Sequence, residues 1–249
     1  MLLDLITFNI RNSDDKDGHS IDERAPRLFP LIKRSSPDVI GMQESMPKWH
    51  KYIDEALGDE YAVFDMPRSS HDVESIPLLY KKSRFDCKKA FHFWLSDTPD
   101  VESRGWDELF NCYRICMGAV LRDKETGTEF AYLNIHYGFG DAGQVKSDEL
   151  TVERMNALGV PYIISGDFNM QPEKAGYIKM TELMTDANAV TAEDWGTTFH
   201  GYDAGHTGDH IDYCFISRGV KAVSSELIRD TENDKYPSDH YGLHTIVEI

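Results

Sequence analysis

Short apolar segments, rich in β-branched and aromatic residues and separated by polar turns, recur along all 249 residues of the chain. Runs of this kind predict β-strands, whereas an apolar residue at every third or fourth position predicts a helix. We predict strands at Leu3–Ile10, Asp38–Met42, Tyr61–Phe64, Ile76–Tyr80, Arg84–Trp94, Arg114–Leu121, Glu129–His136, Tyr162–Ser165, Ile211–Ser217, Val220–Ile228 and Gly242–Ile249. We predict helices at Ile21–Ser35, Pro47–Leu57, Gln144–Leu158 and Pro172–Met184. About eleven strands and about four helices fit neither strict alternation nor an all-β fold, so we predict an α/β chain with two mixed sheets packed face to face and helices outside.

The chain has no internal repeat and no long linker of glycine, serine or proline that would divide it. We therefore expect one domain over residues 1–249. Pro26 and Pro30 weaken the interior of the first predicted helix, because proline removes a backbone donor. Long polar loops on a rigid sandwich commonly carry the functional residues. The loops predicted here are 12–20, 66–75, 96–112, 137–145 and 201–209.

The balance of charge is strongly acidic, with 43 Asp and Glu against 26 Lys and Arg and a net charge of −17. Hydrophobic residues make up 41% of the chain, which is too many for a disordered polyelectrolyte. Proteins that bind long nucleic acids usually carry a basic surface, because contacts with phosphates dominate their affinity. The acidity therefore argues against binding of a long nucleic acid.

The cysteines and the apolar segments bear on the compartment. Cys87, Cys112, Cys116 and Cys214 form no C-x-x-C pair, so we expect reduced thiols, as in a cytoplasmic protein, and no zinc site. No apolar stretch approaches the length that spans a bilayer, and the first residues do not have the pattern of a signal peptide. We expect no membrane span.

Polar side chains recur where the apolar strands end, and these positions predict a site. A lone Asp or Asn in such a place is normally a turn former, but here all are carboxylates, amides or imidazoles. Carboxylate and amide oxygens are the ligands that Mg²⁺ or Mn²⁺ prefers, and histidines handle protons. The segments concerned contain Asn9, Gln43–Glu44, His136, Asp167–Asn169, Asp212 and Asp239–His240.

Several common catalytic motifs are absent from the sequence. It has no glycine-rich phosphate loop of the P-loop or dinucleotide-binding type, which excludes nucleotide kinases and dinucleotide enzymes of those classes. It also has no G-x-S-x-G and no H-E-x-x-H, which excludes the serine esterases and zinc proteases that use them.

Six motifs together resemble the endonuclease/exonuclease/phosphatase superfamily, and they occur in the order of that family over nearly the whole chain. The resemblance implies a DNase-I-like, four-layer α/β/β/α sandwich with the site at one edge of the two sheets. Further segments at 93–100, 103–108 and 198–202 resemble a compact bacterial branch of the superfamily. The six motifs are TFNIR (7–11), DVIGMQE (38–44), NIH (134–136), SGDFN (165–169), HIDYCFIS (210–217) and PSDHYGL (237–243).

The resemblance also implies a role for each matching residue. Glu44 is expected to be the principal ligand of Mg²⁺ or Mn²⁺, assisted by Asn9, with Asp239 sharing the ion. Asp167 is expected to orient or deprotonate the attacking water. Asn169 is expected to hold that water and a phosphate oxygen.

The remaining residues of the motifs are expected to contact the phosphate. The resemblance implies that His240 faces the scissile phosphate while Asp212 accepts a hydrogen bond from its other nitrogen. It implies that His136 donates to a non-bridging oxygen. Arg11 and Arg114 are candidate contacts to the phosphate.

Other polar and aromatic residues are candidates for the rim of the site. Glu74 matches an acidic position of the branch and could bind substrate hydroxyls, while Trp106 and His200 are candidates to line the pocket. Trp195 is expected to pack inside the fold, and Trp49 is expected to cap a helix at the surface.

The chain departs from the pattern of the branch near the mouth of the site. It reads Tyr137-Gly138-Phe139-Gly140 where a second acidic and histidine pair is common, and it has His210 where an arginine commonly precedes IDY. These departures leave the substrate open.

Three functions remain open. The first is a divalent-metal-dependent phosphoester hydrolase of the phosphodiesterase type, acting by attack of water on a small or short phosphoester. The second is an endonuclease or exonuclease on DNA or short RNA, and the third is a non-catalytic binding protein on the same fold. The basic residues that could guide a strand in the second case are Arg11, Arg68, Arg104 and Arg114.

Overall fold

The protein is described by a computed structural model that covers residues 1–191 and 196–249. The helices are α1 (Ile21–Ser35), α2 (Pro47–Leu57), α3 (Asp141–Asn156), α4 (Ala175–Leu183) and α5 (Ala187–Thr191). The strands are β1 (Leu2–Asn9), β2 (Val39–Gln43), β3 (Tyr61–Phe64), β4 (Pro67–Ser69), β5 (Asp72–Ser75), β6 (Leu78–Lys81), β7 (Phe85–Trp94), β8 (Ile115–Asp123), β9 (Glu129–His136), β10 (Tyr162–Asp167), β11 (Thr185–Asp186), β12 (Asp212–Ile216), β13 (Lys221–Ile228) and β14 (Gly242–Glu248).

The described strands form two six-stranded mixed sheets and one hairpin. The first sheet has the order β13-β14-β1-β2-β6-β3, and the second has the order β11-β12-β10-β9-β8-β7. In the first sheet β1 pairs parallel with β2 and antiparallel with β14, and in the second β10 pairs parallel with β9 and antiparallel with β12. The hairpin consists of β4 and β5.

Alternation along the strands divides the core into three layers of side chains. In β1, Leu3 and Leu5 point between the two sheets, while Ile6 and Phe8 point to the outer face and pack against α1 and α2. In β9, Tyr132 belongs to the layer between the sheets, whereas the outer face of the second sheet packs against α3 and α4. Because successive side chains of a strand point to opposite faces, each sheet is buried on both sides. The four-layer α/β/β/α prediction is confirmed.

Most predicted elements are present, with shifted ends. Helix α1 has the predicted bounds despite Pro26 and Pro30, and the carboxylate of Glu23 accepts a hydrogen bond from the backbone N–H of Ser20 at its start, 3.2 Å away. Helix α3 begins three residues before the predicted start at Gln144, and α4 begins at Ala175 rather than at Pro172. The predicted loop 66–75 contains the hairpin of β4 and β5, and the short elements β11 and α5 were not predicted.

The prediction for Trp49 was wrong. Its side chain is fully buried in α2, with 0% exposed, and its indole N–H donates to the carbonyl oxygen of Arg11 over 2.9 Å. The guanidinium of Arg24 lies 5.1 Å from the centre of its ring. The indole therefore fixes the backbone that follows β1. Trp195, which was expected to pack inside the fold, lies outside the described residues.

The structure also bears on the cysteines and on membrane spans. All four cysteines are free thiols. Among the described residues, no helix is both long and apolar enough to cross a membrane.

A buried polar side chain connects the two sheets beneath the carboxyl ends of their strands. Asn134 in β9 is fully buried, and its Oδ1 accepts a hydrogen bond from Nε2 of Gln43 in β2 over 2.6 Å. Its Nδ2 donates to three backbone carbonyls of the first sheet, at distances of 2.8 to 3.1 Å. The three acceptors belong to Met42, Ile76 and Pro77. This bridge holds the two sheets in a fixed relation where the polar strand ends meet.

Candidate active site

The polar residues at the strand ends meet because they occupy equivalent positions in the alternation. Asn9 ends β1, His136 ends β9, Asp167 ends β10 and Asp212 begins β12. Asp167 stands opposite both His136 and Asp212 in the register of the second sheet. Each of these residues is an even number of positions from an apolar residue that points between the sheets, such as Ile163 for Asp167. A period of two therefore brings them all to the edge of the space between the sheets.

Three residues at this edge adopt a left-handed backbone conformation that non-glycine residues rarely use. The φ angles are 62° at Arg11, 62° at Glu44 and 50° at Asn169. Hydrogen bonds hold two of these turns, from the backbone N–H of Asn12 to Glu44 Oε2 and from that of Asn169 to Asp167 Oδ1, both 2.9 Å long. Such backbone strain is concentrated at functional sites, where the surrounding structure imposes it.

Asp212, His240 and Asp167 form a buried charged group. His240 Nδ1 is 2.9 Å from Asp212 Oδ2, and its Nε2 is 3.9 Å from Asp167 Oδ2. Burial alone would lower the pKa of His240, but the charge and hydrogen bond of Asp212 outweigh it and raise the pKa to about 10. Burial and the neighbouring Asp212 raise the pKa of Asp167 to about 7. His240 is therefore a cation whose Nε2 faces Asp167.

His136 lies on the other side of Asp167 as a neutral imidazole. Burial and the nearby Arg114 and Arg68 lower its pKa well below the usual value. Its Nδ1 is 3.2 Å from Nη2 of Arg68, and because a guanidinium can only donate, Nδ1 must be the acceptor. The proton therefore resides on Nε2, which is 3.6 Å from Asp167 Oδ2. His136 thus presents an N–H donor beside Asp167.

Asn9, Glu44 and Asp239 form an acidic corner next to this group. Asn9 Nδ2 donates to Glu44 Oε1 over 3.0 Å and to Asp167 Oδ2 over 2.9 Å, while its Oδ1 accepts from the backbone N–H of Arg11. The Arg11 guanidinium lies 3.8 Å from Glu44 Oε2 and 3.4 Å from Asp239 Oδ2. Burial raises the pKa of Asp239, and the charge of Glu44 adds to that shift. The buried Asp239 and the half-buried Glu44 thus share the guanidinium of Arg11, and this pair of neighbouring carboxylates favours binding of a further cation.

Two buried arginines border the site on the side of His136. Arg68 forms an ion pair with Glu74, whose other oxygen accepts from Asn12 Nδ2 over 3.0 Å. Arg114 Nε donates to Asp107 Oδ2 over 2.9 Å. Each guanidinium thus has its own carboxylate and is held in place.

The site opens into a cleft with a volume of about 670 Å³. Nine of the residues predicted from the sequence line this cleft, while Asn9 and Asp212 support it from behind through the hydrogen bonds given above. The nine are Arg11, Glu44, Glu74, Arg114, His136, Asp167, Asn169, Asp239 and His240.

Trp106 and His200, predicted as candidates to line the pocket, are not among the described residues that line the cleft. The indole N–H of Trp106 donates instead to Asp97 over 3.2 Å. His200 is buried in a stack with Tyr241, with ring centres 4.2 Å apart, and its Nδ1 accepts from the backbone N–H of Tyr202. Packing within the loops turned these side chains away from the cleft.

Other residues of the cleft were missed by the sequence analysis. Most of them lie in the predicted loops or beside the motifs, while Ile211 and Phe199 lie within recognised segments but are apolar and therefore did not look chemical. They are Asn12, Phe110, Cys112, Phe139, Gln171, Phe199, Asp209 and Ile211.

Comparison with known proteins identifies the family to which the chain belongs. The profile of the Endonuclease/Exonuclease/phosphatase family matches residues 6–240. The chain belongs to this family. The recognition from the six motifs is confirmed, and so is the DNase-I-like fold.

Members of the family with solved structures superpose closely on the chain. An endonuclease/exonuclease/phosphatase family protein of Bacteroides thetaiotaomicron is 28% identical, with a TM-score of 0.92 and coverage of 99% of this chain and 97% of that one. The mannosyl-6-phosphatase of the same bacterium is 27% identical, with a TM-score of 0.88 and coverage of 99% and 100%.

An uncharacterized protein of Acanthamoeba polyphaga mimivirus is 23% identical over 181 residues, which is 66% of each chain.

Proposed function

We propose that the protein is a divalent-metal-dependent hydrolase of phosphoesters, of the phosphodiesterase type, that acts on small or short substrates through attack of water on phosphorus. The observation that carries the proposal is the buried group of Asp212, His240 and Asp167, which faces the cleft beside Glu44 and Asp239. A carboxylate base, a cationic donor and an acidic corner are the parts that hydrolysis of an anionic ester requires.

We assign Mg²⁺ or Mn²⁺ to the acidic corner, where Glu44, Asp239 and Asn9 would hold it. The fit is supported by the donors, which are the hard oxygen ligands that these ions prefer, and by the nearness of the charged Glu44 to the buried Asp239. The ion would neutralise charge on a phosphate oxygen and so make phosphorus easier to attack.

A second group of residues also has the composition of a metal site. One ligand atom each from Asp167, Asp212 and His240 lie within 4.8 Å of one another. His240 Nδ1 is hydrogen-bonded to Asp212 Oδ2, 2.9 Å away, so we assign this group to proton handling rather than to the ion.

The side chains of the site then have separate tasks. Asp167 orients the attacking water and accepts its proton, and Asn169, beside it in the cleft, holds the water and a phosphate oxygen. Asp212 fixes the ring of His240, whose Nε2–H points toward the phosphate. Together with Nε2–H of His136, it stabilises the negative charge that develops on the phosphoryl oxygens.

The charges favour a small substrate over a long polyanion. Of the basic residues that could guide a nucleic acid strand, Arg68 and Arg114 are buried and paired with Glu74 and Asp107, and Arg104 stacks over the ring of Tyr113. The net charge of −17 adds repulsion. The similarity to a mannosyl-6-phosphatase makes sugar phosphates a first class of compounds to test. Nuclease action on DNA or short RNA remains the second candidate, because this fold leaves the cleft open at its mouth.

The test is a panel of phosphoesters with Mg²⁺ or Mn²⁺. It includes bis(p-nitrophenyl) phosphate, p-nitrophenyl phosphate, sugar phosphates, inositol phosphates, nucleotides and phospholipid head groups, with plasmid nicking as the arm for nuclease action. Asp167→Ala and His240→Ala should each lower kcat/KM by about 10²- to 10⁴-fold. His71→Ala, which truncates an exposed histidine, is the matched control.

Two outcomes would refute the proposal. One is the absence of turnover of any phosphoester by the wild type. The other is turnover that Asp167→Ala and His240→Ala leave unchanged. Calorimetry that detects metal binding without turnover would favour a binding protein on this fold.

A further inference from the structure

Two phenylalanines in contact with each other line the cleft. Phe110 and Phe139 both line it, and their ring centres are 5.4 Å apart with the ring planes at 74°. We call this pair the aromatic corner. Phe110 is 63% exposed, although burial of such an apolar ring would stabilise the fold. The chain thus leaves a large apolar ring in water next to its polar catalytic residues.

The aromatic corner is held in place by hydrogen bonds. Asp107 is buried, and its Oδ1 accepts from the backbone N–H groups of Leu109 and Phe110 over 3.0 and 2.9 Å. The other oxygen of Asp107 accepts from Nε of Arg114, a residue of the cleft floor. The backbone N–H of Glu108 donates to the carbonyl oxygen of Phe139 over 2.9 Å, which joins the two loops. The position of Phe110 is therefore fixed relative to the catalytic residues.

A comparison with the neighbouring residue separates this feature from ordinary surface exposure. Leu109 is also 63% exposed but does not line the cleft, as expected for an apolar residue at the tip of a loop. Scattered exposed residues of that kind need no function. Phe110 differs because a second ring, Phe139, stands nearly perpendicular to it inside the cleft. Two such faces accept a third ring stacked on one and edge-on to the other.

We propose that the aromatic corner binds a ring in the alcohol part of the substrate, so that the preferred substrates are phosphate esters of ring-bearing alcohols. This inference rests on the proposed function, since the catalytic residues would position the phosphate and the aromatic corner would position the ring in the same cleft. The shared chemistry is the flat or C–H face of a ring, which aryl groups, nucleosides and sugars all offer.

The test measures binding of phosphonates, which carry a C–P bond that hydrolysis by water does not cleave. Calorimetry in the presence of Mn²⁺ compares phenylphosphonate, cyclohexylphosphonate and methylphosphonate. We expect at least one ring compound to bind roughly 10-fold more tightly than methylphosphonate. Phe110→Ala should weaken binding of the ring compound by roughly 5- to 50-fold and leave binding of methylphosphonate within about twofold.

Leu109→Ala is the matched control, because it removes an equally exposed apolar side chain from the same turn without touching the cleft. It should leave all three affinities unchanged. Because both side chains are exposed, both variants should keep the melting temperature of the wild type, and circular dichroism checks this. If both ring compounds bind more tightly than methylphosphonate, the corner contacts the face of a ring in general. If only phenylphosphonate does, the contact is aromatic stacking. Either result supports the proposal.

Equal binding of the ring compounds and methylphosphonate by the wild type would overturn the inference, as would equal effects of Phe110→Ala and Leu109→Ala. These outcomes are distinct from failure of the proposed function. If the aromatic corner is wrong, the phosphoester panel still shows turnover that depends on Asp167. If the hydrolase is wrong, that turnover is absent while preference for a ring can still be measured by calorimetry.

Discussion

Asn134, the buried side chain that bridges the two sheets, provides a test of how the site is held together. We predict that Asn134→Ala lowers the free energy of unfolding by at least about 3 kcal/mol, since four hydrogen bonds are lost inside the protein. The bonds are those from Nδ2 to three carbonyls of the first sheet and the one that Oδ1 accepts from Gln43.

The size of this loss in unfolding free energy depends on which hydrogen bonds each partner of Asn134 retains. Nε2 of Gln43 retains its bond to Thr7 Oγ1, and the carbonyl of Pro77 retains the backbone N–H of Met42. For these two partners the loss is about 0.5 to 1.5 kcal/mol each. The carbonyls of Met42 and Ile76 lose a donor in a water-free interior, which costs about 1 to 3 kcal/mol for each group left unsatisfied.

Urea denaturation followed by circular dichroism measures the effect. Asn156→Ala is the control, because it removes one hydrogen bond, to the hydroxyl of Tyr162, at an exposed position of α3 and should cost about 1 kcal/mol or less. Asn134→Leu restores volume but not the donors, so it should remain destabilised. A loss below about 1.5 kcal/mol for Asn134→Ala, or full recovery with leucine, would refute the reasoning.

Three further predictions concern the metal, the pH dependence and the backbone. Millimolar Mn²⁺ or Mg²⁺ should raise the melting temperature of the wild type but not that of Glu44→Gln. At a metal concentration 100 times the dissociation constant, the stabilisation should be about 2.7 kcal/mol. An unchanged melting temperature of the wild type would contradict the assigned site. Burial raises the pKa of Asp186 to about 6. The contribution of protonated Asp186 to the stability of the protein should therefore decline as pH rises from 3.8 to about 6. Denaturation of Asp186→Asn across this pH range should lack that contribution. Gly166→Ala would bring a Cβ to 2.1 Å from the carbonyl oxygen of Ile135, at a residue whose φ is 149°. The variant should therefore be less stable, and turnover should fall because Asp167 is displaced. Stability and activity equal to those of the wild type would contradict this.

Much of the fold could be predicted because local patterns determine it. The alternation in β1 and β9 assigned residues to the two faces of each sheet, and it also brought Asn9, His136 and Asp167 to the same edge. The site residues that share this alternation could therefore be found from strand ends without knowledge of the contacts. The family resemblance supplied the place of the site at one edge of the two sheets and the expected role of each residue, which spacing alone would not have determined.

The features that were missed depend on contacts between distant segments. Trp49 looked like a surface residue beside Lys48, yet it is buried against Arg11 and Arg24, which precede it by at least 25 positions in the chain. His200 stacks on Tyr241, which lies 41 positions later in the chain. The aromatic corner likewise arises from two predicted loops that meet through one backbone hydrogen bond. Local pattern cannot predict which loops touch.

The position of β14 in the first sheet affects how the chain matures during synthesis. β1 lies between β2 and β14, and the segment that carries Asp239 and His240 comes just before β14. On the ribosome, β1 therefore waits with an unpaired edge until nearly all the residues described here have emerged, and such an edge can pair with other chains. A nascent chain without this segment also lacks the cation of His240. The proposed hydrolysis thus requires a chain whose synthesis has passed His240.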